Sequence, residues 1–99
     1  MEPIHVKADM TVTIDMKADI VYEIEYTGSS VNIINYSDGA LLISEINDFE
    51  KVDGVGKYLT ITSGNIYNDY IFHKSGKNYL YAKADKAGQI CLVKKNWWC

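Results

Sequence analysis

Ninety-nine residues, 47% of them hydrophobic, are enough for one domain with one modest core and too few for two. The formal charge is −3, thirteen acidic residues against ten basic, and every basic residue is Lys. Without Arg, the side chain suited to bidentate phosphate and base-edge contacts, nucleic acid is not an expected partner. No apolar run approaches the ~20 residues of a membrane span, and the only adjacent lysines are Lys94 and Lys95, so no membrane contact is expected. Met1-Glu2-Pro3-Ile4-His5 lacks the basic and apolar regions of a signal peptide, and Cys91 and Cys99 are spaced too widely along an extended chain to bridge. A soluble, unsecreted protein of a reducing compartment is the expectation.

From Met10 to Tyr26 apolar side chains alternate: Met10, Val12, Ile14 and Met16, then Ile20, Tyr22, Ile24 and Tyr26. This is the period of strands with one buried face. A loop at Lys17-Ala18-Asp19 would close them into a hairpin with Met16 facing Ile20, Ile14 facing Tyr22 and Val12 facing Ile24. On the outer face Thr13 would oppose Glu23, and no like charges would meet. Thr27-Gly28-Ser29-Ser30 reads as a turn, Val31 to Tyr36 as a strand, Ser37-Asp38-Gly39 as a turn and Ala40 to Asn47 as a strand. Asn47 to Gly56 is the longest irregular stretch and is expected to be a mobile functional loop.

Three more hairpins are predicted beyond it. Gly64-Asn65 as a turn pairs Leu59 with Tyr70 and Ile61 with Asn68. The loop Lys74 to Asn78 pairs Phe72 with Leu80 and Tyr70 with Ala82, and Asp85 to Gly88 pairs Ala82 with Cys91 and Leu80 with Val93. Leu59, Tyr70, Ala82 and Cys91 then share one packed face, and Ile71, Tyr81, Ile90 and Leu92 form an apolar outer face that suggests either a covered second face or a contact surface. The fold class is all-β: a single-domain antiparallel β-sandwich, immunoglobulin-like or jelly-roll-like, with about seven to nine short strands and little or no helix.

Catalytic and metal chemistry find little material. There is no Gly-x-Ser-x-Gly, the two histidines, His5 and His73, are far apart, and Cys91 falls on the expected core side. Two cysteines and two remote histidines do not make a zinc set. Asp48, Glu50 and Asp53 are the candidate binding residues of the long loop, but the ordered Asp-x-Asp-x-Asp-Gly pattern of a calcium loop is missing. Gly54-Val55-Gly56-Lys57 likewise lacks the spacing of a phosphate loop. No enzyme activity, cofactor, metal or small-molecule ligand is expected. The strongest interaction signal is the tail. Trp97 and Trp98 are adjacent, and adjacent strand residues point to opposite sides, so burying both indoles requires a second surface.

Three runs give the chain its likeness: Ser63-Gly64-Asn65-Ile66-Tyr67-Asn68-Asp69-Tyr70, Asn78-Tyr79-Leu80-Tyr81-Ala82-Lys83-Ala84 and Gly88-Gln89-Ile90-Cys91-Leu92-Val93-Lys94-Lys95. In these it resembles small all-β virion proteins of tailed bacteriophages, the capsid-decorating or auxiliary head subunits of immunoglobulin-like sandwich type. The resemblance implies a structural subunit, assembled in a reducing host cytoplasm and located in the virion. Its partners would be other virion subunits or further copies of itself, docked through the apolar outer face and the tail. Two other functions compete: a carbohydrate-binding module using exposed Tyr residues, and a small acidic inhibitor of a host protein using Glu23, Glu25, Asp48, Glu50 and Asp53.

Overall fold

The computed structural model describes residues 2–8, 10–27, 31–68 and 77–93, and among them there is no helix. One sheet runs in the order β1 (Ile4–Lys7), β3 (Val21–Thr27), β10 (Lys77–Ala84), β5 (Leu41–Ser44) and β8 (Leu59–Ile61). The other runs β2 (Val12–Met16), β11 (Gly88–Val93), β4 (Asn32–Asn35) and β9 (Ile66–Asn68). A separate ribbon joins β6 (Lys51–Val52) to β7 (Val55–Gly56). The fold is an all-β sandwich. The described residues alone form eleven strands where seven to nine are expected, two of them being the short ribbon pair.

The pairing is nested around the middle of the chain. β6 pairs with β7, β5 with β8, β4 with β9, β3 with β10 and β2 with β11, all antiparallel. The numbers of partnered residues keep nearly one sum, from 100 (Ile33 with Tyr67) through 104 (Ile14 with Ile90) to 107 (Lys51 with Gly56). The chain is therefore one long antiparallel ribbon, doubled back at Asp53-Gly54 and rolled up so that β2 to β5, and again β8 to β11, fall alternately in the two sheets. This is the strand order of a jelly roll rather than of an immunoglobulin sandwich. β1 is added outside it, parallel to β3.

Three of the four predicted local hairpins do not form, and the one across Lys74 to Asn78 lies largely outside the described residues. β2 and β3 lie in different sheets, as do β8 and β9, and β10 and β11; β10 has β3 and β5 on its two sides. The predicted pairs involving Tyr70 and Phe72 concern residues outside those described, yet Ala82 itself is opposite Tyr22 and Ile43. The reason lies in what anchors the loops. A short loop can span the ~10 Å between stacked sheets as readily as it can turn a strand back. Here the loops are tied across: Ala18 bridges Ala84, and the Asp19 N–H donates to the Ala84 carbonyl at 2.8 Å. The Gly64 N–H donates to the Asn35 carbonyl at 2.8 Å, and Asn65 accepts from the Asn35 N–H at 2.9 Å, so this turn hands the chain to the β4 side.

The inward face is what the alternation specifies on β2, β3 and β10. Met16, Tyr22, Ile24, Tyr26, Leu80, Ala82 and Ala84 are buried, whereas Thr13 and Asp15 are exposed. On β11 the faces are the reverse of the expectation. Ile90 and Leu92 are fully buried core residues, and Cys91, still buried and a free thiol, sits on the outer side beside Thr13 and Ile34. A hairpin would have carried the parity of β10 over to β11, but a crossing does not. Glu25, Asn35, Ser37 and Ser44 are the buried polar residues among those described, and Asn35 is the most deeply set. Asn35 is fully buried, its Nδ2 donates to the carbonyls of Gly39 and Ile61 at 2.9 Å each, and its Oδ1 accepts from the Ser37 N–H at 2.9 Å and hydroxyl at 2.6 Å. It fastens the passage from β4 to β5.

Candidate functional site

The ribbon tip is built by Val52-Asp53-Gly54-Val55. Asp53 has φ 52° and Gly54 φ 79°, so both central residues are left-handed, the type I′ arrangement whose twist matches paired strands. Asn47 to Gly56 is thus a loop followed by a hairpin instead of an irregular stretch. Its base is clamped. The buried Ser44 donates its hydroxyl to the Lys57 carbonyl at 2.7 Å and accepts the Ile46 N–H at 3.1 Å, joining the incoming and outgoing chain. Phe49 and Tyr58 pack with ring centroids 6.3 Å apart, and a side chain at Gly56 would run into the Tyr58 ring at 2.5 Å.

Above this base Val52 and Val55 are each 64% exposed, and Ile46 and Leu59 are exposed as well. Beside the ribbon opens a cleft of about 510 Å³, lined by Ile43, Ser44, Lys57, Tyr58, Tyr67 and Leu80 among others. A finger clamped at its base, with two wet valines next to a mixed apolar and polar cleft, suits contact with another molecule, because single exposed apolar side chains are ordinary but a group of them at one projection is not.

The candidate loop residues serve this geometry separately. The Asp48 carboxylate accepts the Glu50 N–H at 3.1 Å and shapes the approach to the ribbon, Glu50 is exposed, and Asp53 forms the turn. No three His, Cys, Asp or Glu side chains converge to hold a metal among the described residues. Of the expected outer patch, Leu92 belongs to the core, and Tyr81 is engaged in a polar contact. Ile71, Trp97 and Trp98 lie outside the described residues.

Tyr81 is part of a cluster on the outer face of the larger sheet. Its hydroxyl donates to Glu23 Oε2 at 2.9 Å; His5 Nδ1 is 2.9 Å from Glu23 Oε1, and its Nε2 is 3.2 Å from Glu25 Oε1. The bond from His5, and next that from Tyr81, holds the Glu23 carboxyl below its ordinary range, while the bond to Glu23 pushes the Tyr81 phenol up. His5 sits opposite Glu23 in the parallel β1–β3 register, so the cluster ties the added strand to the roll.

The residues missed in sequence are Val52 and Val55, although Asp-Gly between apolar residues is the strongest short-range hairpin signal. Comparison with family models, with curated proteins and with solved structures finds no match.

Proposed function

We propose that this chain is a non-enzymatic structural subunit that docks on a larger protein assembly, a tailed-phage particle, through the β6–β7 tip and the adjoining cleft. The observation that carries the reading is the pair Val52 and Val55, largely exposed on a ribbon whose base is fixed by Ser44 and Tyr58. Docking would remove both side chains from water without having to order the segment that bears them. The resemblance of the C-terminal runs to virion proteins supports the choice of assembly, and jelly rolls serve viral capsids among other roles, which is support by analogy of fold. Virion residence after assembly in a reducing host cytoplasm follows from the same reading and suits the free thiol of Cys91.

The test is incorporation into purified particles of the parent and of Val52→Lys and Val55→Lys. We expect the parent in particles and each variant depleted at least tenfold, with melting temperatures unchanged because the positions are exposed. Absence of the parent from particles, or full incorporation of both variants, would refute the docking role.

The cleft favours a second reading, carbohydrate recognition. Tyr58 and Tyr67 line it together with Ser44, Glu45 and Lys57, so aromatic and polar side chains share the same opening. Glycan-array binding by the parent that is lost in Tyr58→Ala would establish it in place of docking. Acidic mimicry has less support, since Lys51 and Lys57 interrupt the carboxylates of the loop.

A further inference from the structure

Four strands end the two main sheets, β1 and β8 in one and β2 and β9 in the other. Three of these edges carry the usual protection against strand addition. β1 follows Pro3 and bears His5 and Lys7, β8 is three residues long, and β9 is three residues long within the described residues. β2 is five residues long and bears a single charge. From Met10 to Met16 the sequence contains no Pro, no Gly and no charge except Asp15.

One hydrogen bond fixes which backbone groups of β2 face outward. The Tyr36 N–H donates to the Gln89 carbonyl at 3.0 Å, so Gln89 turns its backbone towards β4. Alternation along an antiparallel ladder then turns Ile90 towards β2, making Ile14 and Ile90 a hydrogen-bonded pair. The backbones of Thr13 and Asp15, and of Thr11 just before the strand, are left directed at the free edge. No strand pairs with that side among the described residues. The next outward N–H, that of Lys17, is already taken by the Tyr22 hydroxyl at 3.1 Å, which bounds the open stretch.

We infer that β2 pairs antiparallel with β2 of a second copy of this chain, about a two-fold axis at Thr13, fusing two four-stranded sheets into one. In this register Thr13 meets Thr13 and Thr11 meets Asp15, so each outward N–H finds an outward carbonyl and no like charges oppose. The inner rows match too: Val12 meets Ile14 and Met10 meets Met16. Val12 and Ile14 are only half-buried, and Met10 is 67% exposed, so pairing covers apolar surface that the single chain leaves wet. Moving the axis to Ile14 would place Thr11 opposite Lys17, whose N–H is occupied. The pairing uses neither the ribbon nor the cleft and stands apart from the virion reading.

Sedimentation equilibrium of the intact chain is the test, with the parent expected at about twice its 11.2 kDa mass. Thr13→Pro removes the outward donor at a position where an edge strand tolerates proline, and Thr13→Lys sets two ammonium groups against each other across the axis. Both are expected to be monomeric, with self-association weakened at least tenfold and the strand-type circular dichroism of the parent retained. Should Thr13→Pro fail to fold, Thr13→Lys, altered only in an exposed side chain, decides. A parent that stays monomeric up to millimolar concentration, including one whose β2 edge binds a strand of some other protein, overturns the inference. A dimer that survives Thr13→Lys overturns it as well.

Discussion

Two short connections in this molecule look alike in sequence and do opposite things. Asp53-Gly54 reverses the chain into a hairpin, whereas Lys17-Ala18-Asp19, one residue longer and likewise flanked by alternating apolar residues, carries it from one sheet to the other. At Asp53-Gly54 both residues are left-handed; in the other loop only Asp19 is, with φ 60°. The first turn needs only its own backbone conformation. The second is held by groups distant in sequence, with Ala84 accepting from Asp19 and the Tyr22 hydroxyl from Lys17. A turn that reverses the chain is written locally, and a crossing is written in its anchors.

If that distinction is right, damage to a crossing should exceed damage to the tip. The largest effect is expected at Asn35, which serves the crossing from β4 to β5. Asn35→Ala strands the buried Ile61 carbonyl and the Ser37 N–H, while the Gly39 carbonyl keeps the Ser37 hydroxyl at 3.2 Å, and at ~1–3 kcal/mol for each unsatisfied group the loss should be at least about 2 kcal/mol in denaturant unfolding. A loss under 1 kcal/mol would mean that the crossing does not depend on this side chain. At the next crossing, Gly88→Ala drives a Cβ to 2.5 Å from the Ser37 Cβ and 2.8 Å from its Cα, so backbone must move at an expected cost of ~1–3 kcal/mol. Gly54→Ala meets nothing within 4 Å, and only the left-handed conformation at φ 79° opposes it. That should cost about 1 kcal/mol. Equal melting curves for Gly88→Ala and Gly54→Ala would break the contrast.

A smaller effect is expected at β1, which lies outside the roll and is tied to β3 by side chains. The Glu23 carboxyl is held below its ordinary range chiefly by His5 and then by Tyr81. A carboxyl whose folded value lies below its unfolded value contributes stability that is present above the ordinary carboxylate range and is lost as pH falls through the folded value. Tyr81→Phe should move the Glu23 titration, followed by carboxyl NMR shifts, back up towards the ordinary range. An unchanged titration would show that the Tyr81 hydroxyl does not act on Glu23.

Much of the fold is legible in the sequence. Alternation along β2, β3 and β10 identifies which side chains are buried, because period 2 reports a face. It does not report a neighbour. Pairing Ile14 with Tyr22 satisfies every local rule, yet Ile14 lies opposite Ile90 and Tyr22 opposite Ala82, since any inward-facing strand of a sandwich offers an apolar partner. The nested register is visible only when distant strands are compared, and this is also why all-β folds of such long-range pairing are slow to form. The candidate site was legible in one place. Val52-Asp53-Gly54-Val55 is a hairpin signal, but acidic Asp48 and Glu50 nearby gave Asp53 the look of a ligand when it is a turn residue. Leu92 was misplaced because its face depends on a crossing at Asp85 to Ala87, where the Asp85 N–H is bound to the Ala40 carbonyl at 3.2 Å, a contact no local pattern encodes.

The central claim, that the chain is rolled up as a nested ribbon, turns on whether β2 lies beside β11. Thr13 lies opposite Cys91 in a non-hydrogen-bonded pair, where the ~4.5 Å Cα separation suits a disulfide. In the local-hairpin arrangement Cys91 would instead lie opposite Ala82. The measurement is disulfide mapping by mass spectrometry of unreduced peptides after mild oxidation of Thr13→Cys and, separately, Ala82→Cys. The nested ribbon predicts a bond between positions 13 and 91 in the first variant and none between 82 and 91 in the second. A bond between 82 and 91, with none between 13 and 91, would contradict it.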